Sequence, residues 1–110
     1  MRVVKFGGTS LCHLDRVIQI IEQYKNNVCV VVSALNDTTN LLRKKNIHQI
    51  RLQYLKWANG LNIDAMLHLY WDHVESVCNC KCANKKQQKD LVLSYGERCS
   101  AIVISRAIEM

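Results

Sequence analysis

The first ten residues place a lysine, two adjacent glycines and two hydroxyls in a row: Lys5, Phe6, Gly7, Gly8, Thr9, Ser10. These residue types in this order suit an anion. Adjacent glycines let the backbone come close to a phosphate and turn its N–H groups toward it, while an ammonium and hydroxyls nearby add charge and further donors. The chemistry they point to is that of phosphates, and so of nucleotides. A second cluster has the composition of soft metal ligands. Cys78, Cys80 and Cys82, with His73 close by, could give two ligands to one zinc or copper(I) ion, although structural zinc sites use paired, more widely spaced cysteines. A group of reduced thiols with no ligand accounts for the same residues. His13, His48 and His68 lack ligand-like spacing and read as surface or packing residues.

The elements that must position these residues can be read from periodicity. Val3–Phe6 reads as a strand, and Val28–Val32 is an uninterrupted β-branched run of the kind that fills parallel sheets covered on both faces. Between them Leu14, Val17, Ile18, Ile21 and Tyr24 recur at helical spacing, with Asp15 near the start and Asn26-Asn27 as the exit. This is a β-α-β unit. A right-handed crossover places Gly7-Gly8 and Ser33 at one carboxyl edge, where open α/β sheets bind ligands. Beyond Ser33 the pattern stays helical. Asn36, Asp37 and Thr38 offer caps for a helix through Leu41 and Leu42, and Ile47, Ile50, Tyr54 and Trp57 form a stripe that Asn59-Gly60 ends. Ile63, Met66, Leu67, Tyr70, Trp71, Val74 and Val77 form another stripe, and both read as core packing. Asn84 to Lys89 reads as a polar loop, with Asp90 capping a last helix that carries Leu91, Tyr95, Ile102 and Val103. A sheet of two strands followed only by helices is narrow, with unpaired edges.

Composition sets the outer bounds. The 110 residues make at most one small domain, and 49% hydrophobic with 22% charged residues fits a globular chain that packs a core. The six cysteines would be a disulfide framework in a secreted chain. The N-terminus, however, lacks the apolar run of ~7–15 residues of a signal peptide, so reduced thiols and a cytoplasmic location are expected. No apolar stretch approaches the ~20 residues that cross a bilayer, so no membrane role is expected. The net charge of +6 and pI near 9.1 permit nucleic-acid binding in principle. Against it, the densest basic runs, Arg43-Lys44-Lys45 and Lys85-Lys86 with Lys89, are short and carry no interleaved aromatics. They read as solvated surface, and no nucleic-acid partner is expected.

Three separated segments carry a resemblance: Lys5 to Ser10, then Val32 to Leu42 with Ser33, Asn36, Asp37, Thr39 and Asn40, then Ser94 to Ala101 with Gly96 and Glu97. In order and spacing they are similar to the N-terminal part of aspartokinase, in the amino-acid kinase family. The similarity runs from Met1 to the C-terminus, with 46–89 alike only in helical character. The second and third segments also resemble the variant fused to homoserine dehydrogenase. What the resemblance implies is a three-layer α/β/α amino-acid kinase fold, carbamate kinase-like, of which 1–110 is the N-terminal portion. The implied reaction moves the ATP γ-phosphoryl group to the side-chain carboxylate of L-aspartate, with Mg²⁺ as companion of the nucleotide. That is the first step toward lysine, threonine and methionine.

By the same resemblance Lys5 neutralises the transferring phosphoryl group, and Gly7, Gly8 and Thr9 hold phosphate oxygens. Ser33, Thr39 and Glu97 fall where the family contacts aspartate, with Glu97 facing its ammonium. A homo-oligomer is implied at full length. These roles make chemical sense: a carboxylate with a reference pKa of ~3.9 is already ionised at neutral pH and needs no general base. Catalysis then consists of holding two anions in line and damping their repulsion. Taken singly, each residue has a plainer reading. Lys5 could be a strand lysine at a sheet edge, Ser33 a helix cap, Thr39 an ordinary helix residue and Glu97 a surface acid beside Arg98.

Departures from the family pattern matter too. The family has glycine or another small residue near Asp37, and Leu11 and Cys12 replace a valine and a small residue. Its adenine-binding half and regulatory domains fall beyond position 110, so this chain alone is not expected to be a competent kinase. Two other readings follow from that. One is a non-catalytic interaction subunit that pairs its open sheet edge with a partner, and the other is a cysteine-rich metal-binding module.

Overall fold

Strands β1 (Arg2–Phe6) and β2 (Val28–Val32) pair in parallel, in the register Arg2 to Val28 through Phe6 to Val32. The structure, a computed structural model, describes residues 2–24, 27–79 and 85–109, the side chains of 85–89 excepted. The connection between the strands holds a one-turn helix α1 (Gly8–Leu11) and the crossover helix α2 (Leu14–Glu22). Then follow α3 (Thr38–Arg43), α4 (Ile47–Trp57), α5 (Asp64–Asn79) and α6 (Lys85–Glu109). The expected β-α-β unit is present, and α2 turns Val17 and Ile21 into the core. Helix α2 ends at Glu22, before Tyr24 and the expected exit at Asn26-Asn27, of which Asn26 lies outside the described residues.

Burial within the strands alternates. Val4 and Phe6 of β1 and Val28, Val30 and Val32 of β2 face the helices, while Val3, Lys5, Cys29 and Val31 are exposed. The register pairs Val3 with Cys29 and Lys5 with Val31, so these four share one open face. The β-branched run predicts cover on both faces, yet among the described residues the helices cover one. Helix α6 lies on β2, and α2 packs on α6. Val3 and Val31 remain 70% and 41% exposed.

The core sits among α3 to α6. Tyr54, Leu67, Trp71, Val74, Cys99 and Val103 are completely buried, and the Tyr54 and Trp71 rings lie 5.4 Å apart. Met66, placed in the third apolar stripe by spacing, is instead 53% exposed. Helix α3 ends in a full Schellman motif: Asn46 N–H donates to the Leu41 carbonyl at 2.9 Å and Lys45 N–H to Leu42 at 3.0 Å. Lys45 occupies the left-handed position there, at φ 57°. Asn46 then caps α4, its side-chain oxygen accepting from the Gln49 amide. Helix α6 begins earlier than expected. Lys85-Lys86-Gln87-Gln88-Lys89 are all strong helix formers, and polarity alone does not make such a run a loop. Asp90 is thus inside the helix and not its cap. The proposed loop's first residue, Asn84, lies outside the described residues.

Several acidic hydrogens are buried in this core. Burial pushes the Tyr54 phenol up from 10.0 to about 12, against a smaller lowering influence of the Ser100 hydroxyl, and pushes the Cys99 thiol up from 9.0 to about 12. Tyr70 and Cys78 are raised for the same reason. In each case the folded chain holds the proton more tightly than the unfolded one. The stabilisation is therefore complete below pH 9 and is lost as pH rises through the window from 9 to about 12. Denaturation midpoints are expected to be flat from pH 7 to 9 and then to fall, by about 1.4 kcal/mol per pH unit for each proton involved. Cys99→Ala should flatten the first part of that fall in urea melts.

Candidate functional site

The glycine turn and the loop after β2 meet at the carboxyl edge of the sheet. Gly8 is there because nothing larger fits: a Cβ would stand 2.9 Å from the Ala34 carbonyl oxygen and 3.2 Å from the Asn36 nitrogen, both backbone atoms. Gly7 differs, since a Cβ there would meet nothing within 4 Å. One glycine thus allows the two segments to touch, while its neighbour looks onto open space. Helix α1 is tied down at its other end, where the Trp57 indole N–H donates to the Leu11 carbonyl at 2.7 Å. As first-turn amides, those of Gly8, Thr9 and Ser10 precede any acceptor within α1.

A third segment closes the site. Gly96, inside α6, is buried, and a Cβ on it would lie 2.8 Å from both the Ala34 Cβ and the Thr38 Cγ2. Its missing side chain brings α6 against the loop and the start of α3. The next residue, Glu97, emerges beside the same loop. The result is a cavity of about 350 Å³ lined by Gly8, Ser33, Thr39 and Glu97, together with Asn36 and Asp37 of the loop and Asn40 of α3. Consecutive threonines divide their work: Thr38 is fully buried against Gly96, and Thr39 is exposed and faces the cavity. The Ser33 hydroxyl is half-buried and donates to the Ala34 carbonyl at 3.2 Å.

Four of the residues singled out from sequence, Gly8, Ser33, Thr39 and Glu97, are brought together here. Lys5, Gly7 and Thr9 are not part of this cavity. Lys5 projects from the open face of β1, and Gly7 and Thr9 are exposed at its end. The arrangement is two-sided, with a small cavity on one side of the glycine turn and an open, lysine-bearing approach on the other.

Sequence reasoning passed over Asn36 and Asn40 as wall residues, and over Tyr54, whose hydroxyl reaches the loop. Asp37, expected as a candidate cap and as a departure from the family pattern, stands at the cap position of α3 without acting as a side-chain cap. Its backbone lies at φ 63°, ψ −3°, a left-handed conformation that favours glycine. Aspartate tolerates this region better than most residues, but not freely. Asp37→Gly is therefore expected to stabilise the fold by about 0.5–1 kcal/mol in chemical denaturation.

The cavity's electrostatics are one-sided. Asp37 and Glu97 line it, and among the described residues no lysine or arginine does, so it suits a ligand that presents a cation, such as an ammonium group. A larger concavity of about 880 Å³ lies behind the same loop, between α2 and α4, and shares Leu35 and Asn36 with the first. None of the residues singled out for phosphate or substrate chemistry lines it. Cys78 is buried in α5, and Cys80 and Cys82 lie outside the described residues. Among the described residues no three His, Cys, Asp or Glu side chains group to hold a metal ion, no pair of cysteines is bridged, and no helix is long and apolar enough to cross a membrane.

Among curated proteins, none matches the chain. The family model described as Amino acid kinase family matches residues 1–109, almost its whole length. The parallel β-α-β start and the glycine turn at its carboxyl edge fit a kinase of that mixed α/β type. The chain belongs to the amino acid kinase family.

Proposed function

We propose that the chain carries the amino-acid-binding and phosphate-binding part of an aspartate kinase, the N-terminal portion of a three-layer kinase domain acting in the cytoplasm. Its reaction would transfer the ATP γ-phosphoryl group to the side-chain carboxylate of L-aspartate, giving 4-phospho-L-aspartate and ADP on the way to lysine, threonine and methionine. The observation that carries this reading is the convergence of Gly8, Ser33, Thr39 and Glu97, from three separate segments, on one small cavity.

Members of the family generally use ATP and Mg²⁺, and the residues present fit the phosphates. Lys5 offers an exposed ammonium, the turn offers first-turn amides, and the space over Gly7 is open. Among the described residues no donor set forms a protein cage for Mg²⁺, which would come with the nucleotide phosphates, as it commonly does. When bound, the nucleotide supplies the phosphoryl group. The chain's own residues do the positioning. Glu97 pairs with the substrate ammonium, the Ser33 and Thr39 hydroxyls hold its polar atoms, and the side-chain carboxylate points past Gly8. Lys5 and the Gly7, Gly8 and Thr9 amides offset the negative charge between the two anions. One carboxylate oxygen then forms the new O–P bond as the bond to ADP breaks. With no proton to remove, no general base is needed.

Incubation of the full-length gene product with ATP and L-aspartate tests this reading. It should yield ADP together with an acyl phosphate that hydroxylamine traps as the hydroxamate. ADP formation with another amino acid and none with L-aspartate would overturn it. The open face of Val3 and Val31 favours a second reading, a subunit that covers this face with a partner. A monomer in sedimentation measurements at high protein concentration would remove it.

A further inference from the structure

Helix α6 and the loop after β2 are joined through one buried phenol. Tyr54, on α4, has its hydroxyl oxygen 3.1 Å from the Leu35 amide, 2.9 Å from the Gly96 carbonyl oxygen and 2.9 Å from the Ser100 Oγ. The donors follow by elimination. A phenol has one hydrogen and a carbonyl only accepts, so Tyr54 donates to Gly96. Leu35 N–H donates to Tyr54, and Ser100 must donate to it as well. Tyr54 and Ser100 are both completely buried, so no water can stand in for a lost partner. A second tyrosine acts one residue earlier on the same helix: Tyr70, from α5, donates to the Tyr95 carbonyl at 2.6 Å.

These bonds fall on the two walls of the cavity. Leu35 sits in the loop between Ser33 and Asn36, and Gly96 immediately precedes Glu97. The close contact of Gly96 with Ala34 and Thr38 sets how near the walls come, but a contact between methyl groups and a glycine is free to slide. A hydrogen bond to each wall from one rigid ring removes that freedom. We propose that Tyr54 is a positioning residue whose hydroxyl holds the segment from Ser33 to Asn40, the loop after β2 with the start of α3, and the Glu97 turn of α6 in one register, so that the cavity is formed before its ligand arrives. Taking L-aspartate as that ligand rests on the functional reading above. Without the tether the ligand must order the loop itself, and affinity falls accordingly.

Tyr54→Phe removes the hydroxyl and keeps the ring. In this variant the Leu35 amide should exchange its hydrogen about tenfold faster or more, and L-aspartate should bind about tenfold more weakly by calorimetry. Val103→Ala, a cavity in the core away from these walls, controls for lost stability. It should lower the melting temperature and leave L-aspartate affinity within about twofold. If Tyr54→Phe does not fold, the wild-type chain carries the test: saturating L-aspartate should slow exchange at Leu35 more than at Ile50. Equal slowing at both amides, or a folded Tyr54→Phe with unchanged Leu35 exchange or unchanged affinity, would overturn the proposal. Wild-type protein that binds no L-aspartate would overturn the substrate reading, and the Leu35 exchange rate in Tyr54→Phe would still decide whether the tether exists.

Discussion

Gly96→Ala is expected to destabilise the protein by about 2 kcal/mol, although alanine in place of glycine inside an ordinary helix stabilises by about 1 kcal/mol. The sign is what makes the experiment informative. An added methyl would stand 2.8 Å from the Ala34 Cβ and from the Thr38 Cγ2, with Leu42 at 3.7 Å behind them. Neither close neighbour can swing aside, because the Ala34 Cβ is bonded directly to the backbone and the Thr38 Cγ2, two bonds out on a β-branched side chain, is fully buried. Forced overpacking of this kind costs about 1–3 kcal/mol, and the upper end applies where two rigid groups are struck together. Subtracting the gain in helix propensity leaves the expected net loss. Relief by movement would lift α6 off the loop and carry Glu97 away from Ser33 and Thr39, so L-aspartate affinity should fall with stability. Urea denaturation and calorimetric titration of the same variant check both halves. A stabilised Gly96→Ala protein would mean that α6 does not pack as described.

The largest effect on turnover is expected from Lys5→Ala. Lys5 lies outside the cavity, on the open face of β1 two residues before the paired glycines. Its removal should leave L-aspartate affinity within about threefold while aspartate-dependent ADP formation by the full-length gene product falls by a factor of about 100 or more, the scale on which a single preorganised charge-stabilising group acts. Separation of the two effects distinguishes a phosphate-facing lysine from one that only shapes the fold. Lys5→Arg should not restore full activity, because a planar guanidinium and a compact ammonium place their charge differently. Unchanged turnover in Lys5→Ala would sink the role assigned to it.

The parts of the fold that were legible in the sequence are those where side-chain pattern decides structure locally. The β-branched run at 28–32 and the helical spacing from Leu14 to Ile21 led directly to a parallel pair joined by a crossover helix. Lys5, Gly7, Gly8 and Thr9 stand out by residue type and order, whereas Ser33, Thr39 and Glu97 are named only through the resemblance of their segments to the family. What was illegible depended on three-dimensional context. A run of Lys and Gln at 85–89 is equally polar as loop or as helix, and only the continuation of α6 decides between them. A valine strand does not say whether one face or two will be covered, and among the described residues nothing covers Val3 and Val31. Tyr54 looked like one more apolar position in a stripe. Its hydroxyl matters because residues 19, 42 and 46 positions away in the chain come to it, and no local pattern records that. Gly96 and Asp37 lie between these cases. A glycine inside a helix and an aspartate before one are visible signals, but the close approach and the left-handed φ that explain them are not.

The central claim is that the cavity between Gly8, Ser33, Thr39 and Glu97 takes the amino-acid substrate with its ammonium on Glu97. Titration of L-aspartate into the isotope-labelled protein, followed residue by residue in amide NMR spectra and repeated with Glu97→Gln, tests it most directly. The account predicts saturable shifts centred on Gly8, Ser33 and Glu97, and binding weakened about tenfold or more in the variant, as expected when a charge-assisted bond to an ammonium is lost. Shifts confined to the concavity between α2 and α4, or equal affinity in Glu97→Gln, would contradict it.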